Sequence, residues 1–345
     1  MLLASVLHYL VQSNVPRAVS YYDSNFGPLA DTVLLRGYSH EELDSIFGAV
    51  CRRAQALDAS AEVIHHCLDA SIQGVILPEH STGAFGMDIC DCNPQELNRL
   101  GELEPGALAS WEQHMEKARE ILIRARSFHD EQETIYIRHM DFEAADRLTE
   151  ETVRSLLGEK QCAGQGRGVH RFFGAASILG SICYIPELTE GLSRRCFIKG
   201  RPGTGKSTFL KKIAKAAQER GFETEIYHCS LDPNSLDMVI VRELGFCVFD
   251  STAPHEYFPS RQGDEIIDIY RACVAPGTDE AYKRELDELN ARYKTLVKEA
   301  TGHLKEAKEA AGRFYAKLPP LDEDAVQRAA ETVLSRLFPE KEPQA

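Results

Sequence analysis

One segment of the sequence has the residue types and spacing of a phosphate-binding loop. Residues 200–207 read GRPGTGKS, a full match to the pattern GxxxxGK[ST]. The apolar, strand-like run RRCFIKG leads into this segment, and the helix-forming stretch STFLKKIAKAAQERG follows it. A triphosphate needs inward-pointing backbone N–H groups, and glycines permit the close turn that supplies them. The segment therefore predicts a nucleotide triphosphate site between a strand and a helix.

Each part of the loop has an expected role. Lys206 should reach the β and γ phosphates, the Ser207 hydroxyl should ligate Mg²⁺, and Thr208 should contact the α phosphate. The expected ligands are ATP and Mg²⁺, with the choice between ATP and GTP left open. The residues predicted to bind the nucleotide form one continuous run: Gly200, Arg201, Pro202, Gly203, Thr204, Gly205, Lys206, Ser207 and Thr208.

A second metal ligand is expected downstream. Asp250 ends the apolar run GFCVFD, 44 residues after Lys206. Phosphate loops are commonly paired with an aspartate at the end of a neighbouring strand, which holds Mg²⁺. Ser207 and Asp250 are therefore the predicted metal ligands. Many ATP-hydrolysing proteins of this kind place a glutamate directly after the aspartate, whereas here the next residue is Ser251.

The group that activates the nucleophile is left open between three residues. Asp232 and Asp237 lie in SLDPNSLD, after the next predicted strand, and His255 lies in STAPHEY, just beyond Asp250. Any of these side chains could accept a proton from water or from a hydroxyl group. Asp232 equally suits a turn or helix cap, because DPNS has the composition of one. His255 equally suits a hydrogen bond within a loop.

An internal repeat divides the chain into two halves. LLRG ending at Gly37 matches FIKG ending at Gly200, IHHC matches IYHC, and ETVRSLL at 151–157 matches ETVLSRL at 331–337. Short apolar runs alternate with helical segments in each copy, which predicts an α/β fold with a largely parallel sheet. We therefore predict two P-loop NTPase-like modules at residues 1–165 and 166–345.

A helical arm is expected at the end of each module. Apolar residues recur at helical spacing over residues 94–160 and 279–338. Each arm is predicted to be a hairpin that packs on itself or on its core, with an intermolecular coiled coil as the alternative. The glycine-rich stretch CAGQGRG at 162–168 has the composition of a flexible linker between the modules.

The first half lacks the phosphate-binding machinery. YSHEELDS at 38–45 stands where the second half has its glycine-rich loop, and Glu41, Glu42 and Asp44 would repel an anion. The residue that matches Asp250 is approximately Gly86. The first module is therefore predicted to be a degenerate, structural or regulatory copy, so that one nucleotide binds per chain.

Charge and composition exclude several functional classes. The chain has 345 residues, with 39 basic and 53 acidic side chains and a net charge of −14, so nucleic acid is an unlikely partner. No run of residues has the length and composition of a membrane span, and the ten scattered cysteines are typical of a reducing compartment. We expect a cytoplasmic protein whose further partner is a small-molecule acceptor or another protein.

The segments RFFGAASILGS, TEGLSRRCFIKGRPGTGKSTFLKKIA, YHCSLDPNSLD and DSTAPH resemble a bacterial family of tandem P-loop NTPases, labelled ATPase or nucleotide kinase by analogy. The resemblance covers nearly the whole chain and implies nucleotide binding without implying a substrate. Both copies generally keep a phosphate loop in that family, whereas the first half of this chain departs from the pattern.

Three functions follow from these observations. The favoured one is an ATPase, and the alternatives are a small-molecule or nucleotide kinase with a helical lid and a nucleotide-dependent switch with little turnover. The kinase reading draws on Arg284, Arg292 and Arg313 of the second arm, which could reach a transferring phosphoryl group. The switch reading draws on the degenerate first half.

Overall fold

A computed structural model describes residues 6–14, 19–88, 108–253, 255–317 and 323–339, and these residues form two mixed β-sheets, a two-stranded antiparallel sheet and ten α-helices. The part of the first arm before residue 108 lies outside these ranges. The strands are β1 (Val6–Tyr9), β2 (Asp31–Tyr38), β3 (Ala61–His65), β4 (Ile72–Leu77), β5 (Thr82–Asp88), β6 (Gly168–Arg171), β7 (Gly174–Ser177), β8 (Gly180–Cys183), β9 (Arg194–Lys199), β10 (Thr224–His228), β11 (Leu236–Val241), β12 (Phe246–Asp250) and β13 (Asp264–Asp268).

Helices flank these strands, and two of them are much longer than the rest. They are α1 (Tyr22–Phe26), α2 (His40–Ala56), α3 (Ala109–Ile137), α4 (Phe142–Leu157), α5 (Ile185–Thr189), α6 (Lys206–Glu219), α7 (Ile269–Cys273), α8 (Thr278–Ala281), α9 (Lys283–Tyr315) and α10 (Glu323–Leu337). Within the described ranges, none of them is long and apolar enough to cross a membrane.

The two sheets have the same strand order. The first runs β1-β3-β4-β5-β2 and the second runs β6-β10-β11-β12-β9, with β13 added beyond β9. Both also have the same sequence of pairings, which is parallel, antiparallel, antiparallel and parallel. The predicted α/β class is confirmed, and the strand order of the first half reappears in the second.

The expectation of a largely parallel sheet is wrong at β4 and β11. Only residues 66–71 separate β3 from β4, and only residues 78–81 separate β4 from β5. A parallel connection needs about a dozen residues or more, so connections this short force neighbouring strands to run antiparallel. The equivalent connections in the second half are similarly short.

The two sheets pack face to face around a shared apolar core. One face of each sheet contributes to this core, and the other face is covered by helices. The core residues include Tyr9, Ile64, Ile76 and Phe85 from the first half and Phe197, Tyr227, Met238 and Phe249 from the second. The two halves are therefore joined through a buried apolar interface.

A charged cluster crosses this interface. Arg171 donates from Nη2 to Glu62 Oε2 at 2.6 Å and lies with Nη1 3.5 Å from Glu225 Oε2. The Tyr9 hydroxyl donates to Glu62 at 2.6 Å, and the Tyr227 hydroxyl donates to Glu225 at 2.7 Å. Burial opposes the charge of Arg171, but the nearby carboxylates raise its pKa well above the usual value. Arg171 therefore remains charged, and the cluster links the two halves.

The arms cross between the halves. On the first sheet, α2 packs with α10 of the second half, through residues such as Phe47 and Val333. On the second sheet, α6 packs with α4 of the first half, through residues such as Ile213 and Leu157. Each sheet is thus covered in part by a helix of the other half, rather than by the arm that follows it.

The two long helices pack along each other in opposite directions. Near one end Ile135 of α3 lies in a cluster with Leu286 of α9, and further along Leu122 of α3 clusters with Ala300 of α9. The sequence predicted either a hairpin within one arm or contact between molecules. The observed contact is between the two arms of one chain, because each helix carries its apolar stripe toward the other.

The glycine-rich segment between the halves is held in place. Cys162 N donates to Arg220 O at 2.8 Å, and Gly166 N donates to Gln218 O at 2.9 Å, at the end of α6. A Cβ on Gly166 would lie 1.9 Å from Phe222 O. The glycine composition that suggested flexibility therefore serves a close backbone approach at this point.

Candidate functional site

The predicted phosphate loop joins the end of β9 to the start of α6. Gly203 and Gly205 have φ angles of 74° and 80°, in the left-handed region that favours glycine. Thr204 is 1% exposed, and its hydroxyl donates to Arg201 O at 2.8 Å. The loop is thus a closed turn fixed from within, and α6 begins at Lys206 with its N-terminus toward the turn.

Lys206 and Asp250 meet at one edge of the second sheet. β12 lies beside β9 in parallel register, with Asp250 opposite Ile198, so both strands end at this edge. Lys206 Nζ lies 3.4 Å from Asp250 Oδ2 and donates to Arg201 O at 2.8 Å. The structure therefore brings together two of the residues on which the sequence prediction depends.

Neighbouring groups fix the two predicted metal ligands. Asp250 Oδ1 accepts hydrogen bonds from the Thr252 backbone N at 3.1 Å and from the Thr252 hydroxyl at 2.7 Å. Ser207 Oγ accepts one from Leu236 N at 2.9 Å, at the start of β11. These hydrogen bonds orient Asp250 and the Ser207 hydroxyl at the sheet edge. They are made by Asp250 Oδ1 and Ser207 Oγ, and not by Asp250 Oδ2, the oxygen nearest Lys206.

Asp237 has the most perturbed carboxyl group near the loop. It lies on β11, one residue after Leu236, whose backbone bonds Ser207. Burial, followed by the charge of Asp250, raises the pKa of Asp237 to about 7. Such a group exchanges a proton near neutral pH, which is the property that a general base requires.

Asp232 forms a turn and faces the first arm. Its Oδ1 accepts a hydrogen bond from Asn234 N at 3.2 Å, as the DPNS composition suggested. Its Oδ2 lies 2.9 Å from Arg126 Nη2 of α3. Asp232 thus ties α3 to the loop that follows β10, which is a contact between the two halves.

His255 lies near Asp250 but packs on an aromatic ring. Its imidazole meets Phe173 edge-on at a centroid distance of 5.0 Å, and its backbone N donates to Thr252 O at 2.9 Å. Burial lowers the pKa of His255, against the opposing charge of Asp250. The loop interpretation therefore accounts for its contacts, and its role as a base stays a prediction.

The sequence did not identify α3 as part of this site. A Cβ on Gly203 would lie 2.6 Å from Glu133 O, so α3 rests directly against the predicted phosphate loop. Burial and then the charge of Lys206 lower the pKa of His129, while burial and then Asp130 raise the pKa of Glu133. The only sequence signal was the polar run SFHDEQE within an amphipathic helix.

The arginines expected from the second arm lie elsewhere. Arg284 has a side chain 94% exposed and pairs with Glu288, and Arg313 pairs with Glu309 on its own helix. Arg292 lies over the Phe128 ring at 5.9 Å. Arg126 of the first arm, not an arginine of the second, makes the ion pair with a predicted site residue.

The first half has a different structure at the matching place. Residue Ser39 caps α2, with Glu42 completing a reciprocal capping box, so the helix starts where the second half forms its loop. Gly86 pairs with Leu35 as Asp250 pairs with Ile198, which confirms the expected correspondence. A Cβ on Gly86 would lie 2.4 Å from a methyl group of Leu43, so apolar packing fills this place.

Helix α9 covers that place with ion pairs. Lys308 Nζ lies 2.7 Å from Asp69 Oδ2 and 3.0 Å from Glu41 Oε1, and His40 Nδ1 lies 2.6 Å from Asp69 Oδ2. Burial lowers the pKa of His40 to about 4, so this imidazole is neutral at pH 7. Asp44 Oδ1 accepts from Ile72 N at 2.7 Å, as Ser207 accepts from Leu236.

The oxygen-rich edge of the second sheet suits a hard cation. Ser207 offers a hydroxyl and Asp250 offers a carboxylate, close to Lys206. Mg²⁺ prefers such oxygen ligands, commonly one or two carboxylates together with phosphate oxygens. The residues present therefore fit the predicted metal, and the glycines of the loop fit a closely approaching anion.

Comparison of the chain with protein-family models, with curated proteins and with solved structures gives no match. The features that bear on function are therefore the loop, the paired strands and the helix that covers them. The first half supplies the covering helix α3 but has no such loop of its own, and Leu43 and Gly86 occupy the matching positions there.

Proposed function

We propose that the protein binds Mg-ATP at residues 200–208 and transfers its terminal phosphoryl group to water. The observation that carries the proposal is the juxtaposition of Lys206 and Asp250 at 3.4 Å beside a glycine turn that opens a helix. Backbone N–H groups, a helix N-terminus and a lysine then converge on the phosphates, which is the arrangement that binds a nucleotide triphosphate.

Asp237 is the proposed general base of this reaction. The position after Asp250, where many ATPases have a glutamate, is Ser251, which is fully buried. Its hydroxyl donates to Tyr257 O at 2.8 Å and accepts from Tyr257 N at 3.0 Å, so it holds the following loop. Asp237 carries a carboxyl group with a pKa of about 7 in the charged group around Asp250. Mg²⁺, held by Ser207 and Asp250, would neutralise charge on the phosphates.

Helix α3 is the proposed lid of the site. It reaches the loop from the other half of the chain, with Glu133 against Gly203 and Arg126 paired with Asp232. An arginine near a transferring phosphoryl group stabilises the charge that develops there, and a covering helix excludes water. Hydrolysis would therefore be coupled to the position of an arm that also packs on α9.

The direct test is calorimetry with Mg-ATP combined with measurement of phosphate release. We expect Lys206→Ala to lose both binding and release, because the lysine neutralises phosphate charge and does not belong to the apolar core. Lys215→Ala is the matched control, since its side chain lies on the same helix and is 76% exposed. Equal affinity and turnover in wild type and Lys206→Ala would reject the proposal.

A kinase is the second candidate, and the raised pKa of Asp237 favours it. A carboxyl group of this kind could take the proton of an acceptor hydroxyl as readily as that of water. The two functions differ in product, so a panel of nucleosides and metabolites distinguishes them. An acceptor that increases ATP consumption without releasing phosphate would identify a kinase. Binding without consumption would instead support a nucleotide-dependent switch.

A further inference from the structure

Three metal-ligating side chains meet between the two long helices, away from the phosphate loop. His114 of α3 faces His303 and Glu306 of α9. His114 Nδ1 lies 3.3 Å from His303 Nδ1 and 2.8 Å from Glu306 Oε2, and His303 Nδ1 lies 3.3 Å from the same oxygen. The three atoms therefore form a compact triangle.

The dimensions of this triangle match one face of a zinc coordination sphere. Zinc binds imidazole nitrogen and carboxylate oxygen at about 2.0–2.2 Å in tetrahedral sites. Ligand atoms around such an ion are then roughly 3.3–3.5 Å apart, from the geometry of a tetrahedron with these bond lengths. Two edges of the triangle are 3.3 Å and the third is 2.8 Å. We propose that His114, His303 and Glu306 bind a divalent transition metal of the zinc class.

Apolar packing beside the cluster fixes the register of the two helices. Ala118, one turn after His114, is buried with Leu304, the neighbour of His303, in a cluster that includes Leu68 of the first half. His303 and Glu306 are three residues apart and so lie on one face of α9. The three donors therefore converge because the helix pair is held together by apolar contacts beside them.

The donor set determines which metal fits. Two imidazoles and one carboxylate form the ligand set of open zinc sites, which keep a fourth position for water. The two histidine side chains are 25% exposed and Glu306 is 55% exposed, so solvent can reach such a position. Mg²⁺ and Ca²⁺ prefer oxygen donors alone, and imidazole suits zinc, nickel and copper better.

A second group of similar composition does not support a metal site in the same way. His40, His66 and Asp69 also place possible ligand atoms close together. There, however, the Lys308 ammonium lies 2.7 Å from Asp69 Oδ2 and already supplies a positive charge. The cluster at His114 has no such cation among the contacts described for it, and its carboxylate meets imidazoles alone.

A metal ion at this site would connect the two arms of the chain. One ligand comes from the first half and two come from the second, so a bound ion would join α3 to α9. Metal binding would then stabilise the helix pair against separation by mass action. This effect is independent of nucleotide, since the cluster shares no residue with the phosphate loop.

The test is Zn²⁺ titration of the full, metal-stripped chain, with bound metal measured by elemental analysis and stability by thermal melting. We expect wild type to retain one Zn²⁺ more than the double variant His114→Gln/His303→Gln, and to melt at higher temperature with Zn²⁺. Glu306→Gln should bind at least about tenfold more weakly. Other thiols and histidines contribute equally to all variants, so the difference isolates this site.

Glu309→Gln is the matched control, because Glu309 is exposed on the same helix one turn further on. It should bind Zn²⁺ as wild type does. Glu306→Gln also guards against a folding defect in the double variant, since Glu306 is largely exposed. Equal metal content and affinity in wild type and Glu306→Gln would overturn the proposal. The proposal would also be overturned if the wild type bound no Zn²⁺. It would equally be overturned if the substitutions changed the melting temperature while Zn²⁺ had no effect on it.

Discussion

The same position in the two sheets holds a charged pair in one half and an apolar contact in the other. In the second half Lys206 lies 3.4 Å from Asp250. In the first half Leu43 fills the place beside Gly86, which occupies the register position of Asp250. The backbone order and pairing of the strands are alike in both halves. The comparison teaches that this sheet edge supports either chemistry or packing, and that the local residues decide which.

The two halves also have in common a pair of hydrogen-bonded histidines. His8 Nδ1 lies 2.8 Å from His65 Nε2, and His170 Nδ1 lies 2.8 Å from His228 Nε2. Each pair joins the same two neighbouring strands of its sheet, and a tyrosine ring stacks on each pair, Tyr184 on one and Tyr21 on the other. The histidine pairs therefore belong to the common framework, whereas the charged pair at the loop belongs to one half only.

The largest expected effect tests the asymmetry of the loops. Titration with Mg-ATP should give one nucleotide per chain in wild type, and Lys206→Ala should weaken that binding by at least about a hundredfold, the loss of charge-assisted contacts. Leu43→Ala, at the matching place in the first half, should leave the stoichiometry at one. Two nucleotides per chain, with one surviving Lys206→Ala, would contradict the proposed difference between the halves.

The second effect concerns catalysis within the second half. Asp237→Asn should reduce phosphate release by about a hundredfold while leaving nucleotide binding in place. Because the pKa of Asp237 is raised to about 7 and a base must be deprotonated, the wild-type rate should increase as pH rises through this range. The variant should lose that increase. Asp146→Asn is a suitable control, since Asp146 is 63% exposed on α4; an unchanged pH profile in Asp237→Asn would remove Asp237 from the mechanism.

The third effect concerns the apolar contact between Gly86 and Leu43 in the first half. Gly86→Ala should lower the free energy of unfolding by about 2 kcal/mol, because its Cβ would meet Leu43 at 2.4 Å and force the core to shift. Urea unfolding measures this change. Gly312→Ala should instead raise the free energy of unfolding, because that glycine lies within α9 with open space around it and alanine favours helix. A Gly86→Ala variant as stable as wild type would show that the Leu43 contact relaxes easily.

The smallest effect tests the shared framework. Burial lowers the pKa of His65 and of His228 to about 4, below the value near 6.5 of the unfolded chain. Both groups therefore contribute stability at pH 7 that is lost as pH falls from about 6.5 toward 4. His65→Gln should remove about 1 kcal/mol of this dependence, measured by urea unfolding at pH 7 and pH 5.5. Identical pH dependence in wild type and variant would rule out the buried neutral state of His65.

Local patterns were enough to predict the loop and its partner strand. The spacing of GRPGTGKS and the position of Asp250 depend on residues adjacent in sequence, and the repeat located Gly86 at the place of Asp250. Strand direction was missed because it depends on connection lengths whose ends were not known exactly. The role of α3 was missed because an amphipathic stripe indicates that a helix is buried without indicating against what.

The crossing of the arms has a consequence for how the chain is made. When the first half leaves the ribosome, the face of its sheet that α10 covers has no partner, because α10 ends at Leu337. Likewise, α4 is synthesised before the second sheet, on which it packs. Neither half can complete its core during synthesis, so the final fold waits for the last helix. A single copy of the module made as a separate chain would have the same uncovered face, and two such chains could satisfy each other only by exchanging arms. One polypeptide therefore contains both partners of what would otherwise be an arm-exchanged pair.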